Sequence, residues 1–160
     1  MAYEAYMIIE GTKQGKLKGE SVRTAHKDKI PILGFEYEVA APRDLASGQA
    51  SGKRQHKPVK VIKEWGASSP QLFQAVTTNE VLKSVTFEFY RTTPEGKEDQ
   101  HYSIKLTNAT VSGHRKFIDK SVKHSDGHDV HELEEISFTF QKIDVESKWG
   151  KSMATDDWHQ

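Results

Sequence analysis

Apolar residues alternate with polar or less apolar ones along several stretches of this chain, and this period of two constrains its fold more than any other feature. One stretch places Val85, Phe87 and Phe89 on one side of an extended backbone. The same alternation recurs at 35–39, 102–106 and 136–140. Successive side chains of a β-strand point to opposite faces, so the pattern predicts strands that each bury one face.

Weaker patterns predict further strands, and turn residues separate several of them. The additional strands are expected near 3–9, 19–23, 58–65, 110–115 and 141–145. Thr93-Pro94-Glu95-Gly96 lies between two alternating runs. Proline and glycine at these positions favour a tight turn, so this segment predicts a hairpin.

One short helix is predicted at about 69–79. Ser69 is a suitable N-terminal cap, and Pro70 fits the first helical position, where its missing N–H costs nothing. Asn79 can end the helix. An apolar face formed by Leu72, Phe73 and Val76 would pack against one end or side of the strands.

Many strands and one helix predict a mainly β protein, in which two packed antiparallel sheets form a barrel or sandwich. The sequence has no evident internal repeat and no break in composition. At 160 residues it is therefore expected to form one domain over 1–160.

Two segments depart from the strand pattern. Residues 41–57 have neither a strand nor a helix pattern, and a long connection in a compact domain is often functional. The polar tail from about 147 carries Trp149 and Trp158. A tryptophan in a polar tail is expected to dock, either on its own domain or on a neighbouring copy.

The composition excludes several classes of function. Lysine plus arginine and aspartate plus glutamate both number 23, so there is no overall basic excess for nucleic acid. The absence of cysteine excludes disulfides and thiolate zinc sites. Neither a signal peptide nor a membrane-spanning stretch is evident, which predicts a cytoplasmic protein that leaves the cell only through a dedicated machine.

No pattern supports an enzyme, a catalytic residue or a cofactor. A loop with His124, His128 and His131 could bind a metal, but a solvated loop without metal is the favoured interpretation. Two glycine-rich segments miss the phosphate-loop spacing. The scattered histidines are expected on the surface; these are His26, His56, His101, His114 and His159.

An ordered series of motifs resembles the hemolysin-coregulated protein (Hcp) family of the bacterial type VI secretion system. The series begins with Lys18-Gly19-Glu20-Ser21 and His26-Lys27-Asp28, followed by the long loop. Its most specific part is the helix block that starts Ser68-Ser69-Pro70. The late block is His131-Glu132-Leu133-Glu134-Glu135-Ile136. The resemblance covers roughly residues 3–150.

The resemblance implies a structural tube subunit. Six copies would form a ring, and rings would stack into a tube inside a contractile sheath, with a spike protein at the tip and small effectors in the lumen. The protein would be cytoplasmic before firing and secreted afterwards. The long loop would reach the next ring through Arg43, Asp44, Leu45, Gln49, Lys53 and Arg54. Thr110, Ser112 and His114 would lie on a strand that lines the lumen.

Two other functions remain open from the sequence. One is a monomeric β-barrel binding module that engages a protein or ligand through the 41–57 loop. The other, a minor alternative, is a metal-dependent enzyme that uses the histidine loop. The mass in solution separates a ring from a monomer, and metal analysis tests the enzyme.

Overall fold

The structure, a computed structural model, describes residues 3–21, 23–119 and 131–158. It confirms the mainly β prediction. The strands are β1 (Tyr3–Gly11), β2 (Gly15–Lys16), β3 (Ile30–Ile32), β4 (Gly34–Glu36), β5 (Val39–Ala40), β6 (Gln55–His56), β7 (Val59–Glu64), β8 (Leu82–Thr92), β9 (Glu98–Asp119), β10 (His131–Thr139), β11 (Lys142–Ser147) and β12 (Ser152–Asp157). Within the described residues there is one α-helix, α1 (Ser69–Thr78), and one 3-10 turn, Thr24–His26.

Apart from β5 and β6, which pair only with each other, the strands form two antiparallel sheets that share the long strand β9. In the first sheet β1, β8, the first half of β9, β11 and β12 lie side by side, and β2 and β3 pair with β1. In the second sheet the last half of β9 is followed by β10, β7 and β4. The change of partner falls near Asn108, whose φ of 51° bends the strand.

The core lies between the two sheets. Met7 and Phe87 of the first sheet and Val61 and Phe138 of the second are fully buried. The ring of Phe35 packs edge-on against Phe87 at 5.0 Å, which joins the sheets. Burying each such side chain contributes about 1.5–3 kcal/mol, so apolar contact between the sheets holds the fold together. The alternation at 85–89 and 136–140 is confirmed.

The helix has the predicted extent, but two details differ. Ser68, not Ser69, occupies the N-cap position, and Asn79 ends the helix with a φ of 53° as expected. Leu72 is fully buried, whereas Phe73 is 56% exposed. One residue along a helix rotates a side chain by about 100°, which turns Phe73 away from the sheets.

The turn predicted at 93–96 is confirmed between β8 and β9. Gly96 has a φ of 83°, and its N–H donates to the Thr93 carbonyl.

The strand predicted at 19–23 is wrong for the described residues. Residues 19–21 and 23 are irregular and lead into the 3-10 turn. Gly19 lies so close to the Asp28 backbone that a Cβ would approach its carbonyl carbon to 2.1 Å.

The segment after residue 147 extends the first sheet. Strand β12 pairs with β11 along its whole length, from Lys142 opposite Asp157 to Ser147 opposite Ser152. The indole N–H of Trp149 donates to Asp99 at 2.7 Å. Trp158 packs against the rings of His56 and Phe140. Both tryptophans therefore dock on their own chain.

Candidate assembly surface

Residues 39–57 form a two-stranded arm, where the sequence indicated an irregular loop. Strands β5 and β6 pair at its base, and an isolated bridge joins Arg43 to Ala50 near its tip. This arm projects between β4 and β7 of the second sheet. The sequence did not indicate these short strands because the segment is rich in glycine, serine and alanine, which have weak strand propensity.

The tip of the arm is a turn organised by Asp44. The carboxylate accepts hydrogen bonds from the Ala46 N–H at 2.9 Å and the Ser47 hydroxyl at 3.1 Å. These two donors lower the pKa of Asp44. Gly48 closes the turn with a φ of 73°. The turn holds Leu45 with its side chain completely exposed.

The base of the arm is tied to strand β12 through Asp156. The Asp156 carboxylate accepts from Arg54 Nε at 2.5 Å and lies 2.6 Å from His56 Nε2. The opposite ring nitrogen of His56 lies 2.6 Å from the Tyr37 hydroxyl. The hydrogen bond from Arg54 is the main reason that the pKa of Asp156 is lowered. Asp157 also accepts from Arg54 through its carbonyl. The arm is therefore fixed at its base while its tip is open.

Releasing this tie is expected to loosen the arm without unfolding the sheets. Asp156→Asn replaces the carboxylate that Arg54 and His56 contact with an uncharged amide. The free energy of unfolding is expected to fall by only about 0–1 kcal/mol, as for exposed ion pairs. Amide hydrogen exchange at Gln55 and His56 should accelerate. Asp144→Asn on the neighbouring strand, whose amide oxygen can still accept from the Thr155 hydroxyl, is the matched control. Unchanged exchange at the arm base would contradict this role for Asp156.

The same tie predicts a pH dependence. Folding lowers the pKa of Asp156, so its ionised carboxylate stabilises the arm base at pH values above the ordinary aspartate pKa. This stabilisation is lost as the pH falls through the lowered pKa. The protection factor at the arm base, which corrects the exchange rate for the intrinsic effect of pH on amide exchange, should therefore fall on acidification in the wild type. It should not follow that course in Asp156→Asn.

The residues predicted for ring stacking occupy different parts of the arm. Arg43, Asp44, Leu45, Gln49 and Lys53 are exposed. Arg54 is half-buried because it holds the base. The five exposed residues can therefore contact another molecule, whereas Arg54 holds the arm in position.

The residues predicted for the lumen do not share one face. Thr110 and Ser112 lie on the outer face of the second sheet, where Thr110 meets the Thr139 hydroxyl at 2.8 Å. His114 instead has a side chain only 3% exposed. The register between β9 and β10 shifts at this point, so that Ser112 is an extra residue and His114 turns inward. Such a bulge reverses the alternation, and the sequence carried no signal for it.

A buried ion network lies behind this bulge and was not predicted. Lys63 and Glu134 are both fully buried, and their charged groups lie 3.2 Å apart. Glu20 lies 3.1 Å from the Lys63 ammonium, and His114 lies 3.5 Å from Glu134. Ser69 of α1 completes the cluster. The network therefore joins the 20s segment, the helix and three strands of the second sheet.

The electrostatics of the network favour its ionised form. Burial raises the pKa of Glu134, but the neighbouring His114 ring, the Ser69 hydroxyl and the charge of Lys63 outweigh it, so the pKa is lowered. Lys63 also donates to the carbonyl of Glu64 at 2.7 Å. A buried charge needs such partners, and Lys63 provides one to Glu134 Oε1, whereas Glu134 Oε2 and His114 Nε2 have no hydrogen-bond partner.

A second cluster has donors that could coordinate a metal ion. Glu4, His26 and Glu98 place three such atoms within 4.8 Å of one another. Arg23 already pairs with both carboxylates, and His26 contacts Glu98. Because Arg23 pairs with both glutamates, the geometry favours an ionic contact that holds the 3-10 turn in place rather than a metal site. Burial and the hydrogen bond to Glu4 raise the pKa of Tyr6 beside this cluster to about 12.

The surface prediction was wrong for three of the scattered histidines. His26 is buried, and the side chains of His56 and His114 are only 4% and 3% exposed. Each lies against a carboxylate from a distant part of the chain, which the sequence alone does not reveal. The predicted metal-loop residues His124 and His128 lie outside the described residues, as does His159, and the side chain of His131 is likewise not described. Within the described part of the chain, the structure contains no helix that could span a lipid bilayer.

Comparison with known proteins defines the class to which this fold and arm belong. The family model described as "Type VI secretion system effector, Hcp" matches residues 6–146. The chain therefore belongs to the Hcp family of type VI secretion, as its motifs indicated.

Individual relatives cover nearly the whole chain. The chain is 34% identical to the "Major exported protein" of Pseudomonas aeruginosa, across 99% of this chain and 96% of that protein. A crystal structure of an Hcp protein superposes with a TM-score of 0.91 at 29% identity, covering 99% of both chains. The secreted protein Hcp3 from Pseudomonas aeruginosa superposes with a TM-score of 0.80 at 29% identity, covering 99% of this chain and all of that one.

Proposed function

We propose that this chain is a structural, non-enzymatic subunit that forms six-membered rings, and that the rings stack into the inner tube of a type VI secretion system. The observation that carries the proposal is the arm, which presents a fully exposed leucine on a turn whose base is fixed. A single exposed apolar side chain is common on a protein surface, but this one lies on an ordered turn at the tip of an arm with a fixed base. Contact with another copy would bury it.

The sheet edges support self-association as well. Strand β12 lies at one edge of the first sheet and β4 at one edge of the second. Unpaired edges can template pairing with other chains, and a closed ring of identical subunits covers them in a controlled way. The zero formal net charge lowers the electrostatic cost of packing many copies together.

The proposal extends to partners and location. The sheath proteins of the system would surround the tube, and a spike protein would sit at its end. Small effector proteins would travel in the lumen. Thr110 and Ser112 are the proposed lumen contacts, whereas His114, being buried, would act through the internal network. The protein would be made in the cytoplasm and exported on firing, in line with the name of its exported relative.

Electron microscopy of the purified protein tests this function. We expect rings with a central hole and, at high concentration, rods built from stacked rings. A field of single subunits at all concentrations would contradict the proposal and would favour the binding module that uses the arm.

A further inference from the structure

A strap formed by residues 18–21 and 23–29 connects the two sheets. The backbone N–H groups of Glu20 and Ser21 both donate to the carbonyl of Lys29, so the two halves of the strap are held to each other. The strap is therefore one compact element, and its position depends on the contacts that each half makes with the rest of the chain.

The second half of the strap is anchored to the first sheet by side chains that keep their charge. Arg23 pairs with Glu4 of β1 and Glu98 of β9, and Lys29 donates to a glutamate of β8 at 2.6 Å. His26 also contacts Glu98, but Arg23 holds that carboxylate without it. Arginine and lysine stay protonated near neutral pH, so this half of the strap remains attached.

The first half of the strap is attached to the helix and to the second sheet through Glu20. Its carboxylate accepts from the Ser68 N–H at 2.9 Å, at the N-terminus of α1. The same oxygen lies 3.1 Å from the Lys63 ammonium on β7. A helix N-terminus favours negative charge, so both contacts suit an ionised Glu20. With 15% of its side chain exposed, Glu20 is the least buried of the charged groups in the ion network.

The charges of the buried network are unequal unless His114 is protonated. Glu20 and Glu134 carry two negative charges, whereas Lys63 carries one positive charge. His114 Nε2 lies 3.5 Å from the Glu134 carboxylate, and α1 contributes only the uncharged hydroxyl of Ser69. These are the charged and titratable groups that the described residues place around the network. An unbalanced buried charge costs free energy, and a proton on His114 removes the imbalance.

Two buried atoms show where this proton acts. His114 Nε2 and Glu134 Oε2 both lack a hydrogen-bond partner. An imidazolium N–H beside this carboxylate supplies a charged donor to an acceptor that otherwise has none. Although burial raises it, the pKa of Glu134 is lowered by its neighbours, so this carboxylate stays ionised over the pH range in which histidine titrates.

We infer that the strap is a pH-sensitive latch, which is closed while His114 carries a proton and opens when that proton is lost. Without the proton the network holds one unbalanced negative charge. Glu20 is the carboxylate with access to water, so it leaves the network, and the strap detaches from α1 and β7 while Arg23 holds its other half. The latch is a property of the single chain and does not depend on the formation of rings.

Nuclear magnetic resonance of the full chain, labelled with ¹⁵N at histidine, reports the protonation of His114. At about pH 7 the signal that is missing from His114→Gln should show both ring nitrogens protonated. His101 is the matched control, because burial and the charge of Arg91 lower its pKa. The signal that is missing from His101→Gln should therefore show a neutral ring. A neutral His114 ring at about pH 7 overturns the inference.

Hydrogen exchange of the unmodified chain tests the latch without any substitution. The N–H of Ser68 donates to Glu20, and the N–H of Lys18 donates to the Gln71 side chain, so both report on contact between the strap and the helix. Between about pH 6 and about pH 9 their protection factors should fall about tenfold or more. The protection factor of Phe87, in the core of the first sheet, should stay constant. Constant protection at the strap as well overturns the latch.

A change of charge tests the cause. Glu20→Gln removes one negative charge, so His114 should lose its proton at a pH lower by about 1 or more. The amide oxygen can still accept from Ser68, so the strap should stay attached as the pH rises. Glu64→Gln, at an exposed position next to Lys63, is the matched control and should titrate as the wild type does. An unchanged His114 titration in Glu20→Gln contradicts the role of charge balance.

Discussion

Lys63→Met is expected to lower the free energy of unfolding by about 3–5 kcal/mol, the cost of leaving buried carboxylates without their cation. Lys63 is fully buried and lies within 3.2 Å of Glu134 and 3.1 Å of Glu20. The apolar replacement fills most of the same space but removes the positive charge that lies next to both carboxylates. Urea denaturation at one protein concentration measures the change, since assembly adds its own free energy.

The control for this substitution lies on the same strand. Lys60 is exposed on the opposite face of β7, and Lys60→Met should change the free energy of unfolding by less than about 0.5 kcal/mol. If Lys63→Met proves as mild as Lys60→Met, the network does not hold the second sheet to the helix. The pH dependence supplies a further check. Because folding lowers the pKa of Glu134, the ionised carboxylate stabilises the folded state. This stabilisation should be lost as the pH falls through the lowered pKa.

Deletion of residues 45–52 is expected to abolish ring stacking and to leave the two sheets folded. The deletion removes the exposed tip with Leu45 but keeps strands β5 and β6 and the tie from Arg54 to Asp156. Since the removed residues are exposed, the unfolding midpoint should change little. Micrographs should then show separate rings and no rods.

A matched pair of point variants separates the loss of one side chain from the loss of backbone. Leu45→Asp should prevent stacking, whereas Phe73→Asp, at another exposed apolar position, should not. Rods formed by the deletion variant at the wild-type level would show that the arm does not join rings.

The sequence was sufficient for the parts of the fold that local patterns determine. The alternation of Val85, Phe87 and Phe89 predicted a strand with one buried face, and the proline and glycine at 93–96 predicted the hairpin. The helix followed from Pro70 and Asn79. These features depend on a few neighbouring residues, whose propensities and spacing are visible in one sequence.

The contacts that shape the assembly surface are non-local and were missed. Asp156 meets Arg54 and His56 about a hundred residues away in the chain. The bulge at Ser112 that turns His114 inward has no composition signal. Both arise from how strands come together, which alternation alone does not specify.

The buried ion pair did leave a readable signal. Lys63 continues the inward-facing positions of Val59 and Val61, and Glu134 precedes Ile136 with the same spacing. A basic and an acidic residue, each on the buried face of an alternating strand, predict a buried pair if the two strands are neighbours. The pairing of β7 with β10 supplies that condition.

Light scattering coupled to size-exclusion chromatography measures how many copies of the chain associate, and the proposed tube depends on that number. We expect a mass near six times 18.1 kDa, with larger species appearing as concentration rises. A mass of one chain at every concentration would contradict it.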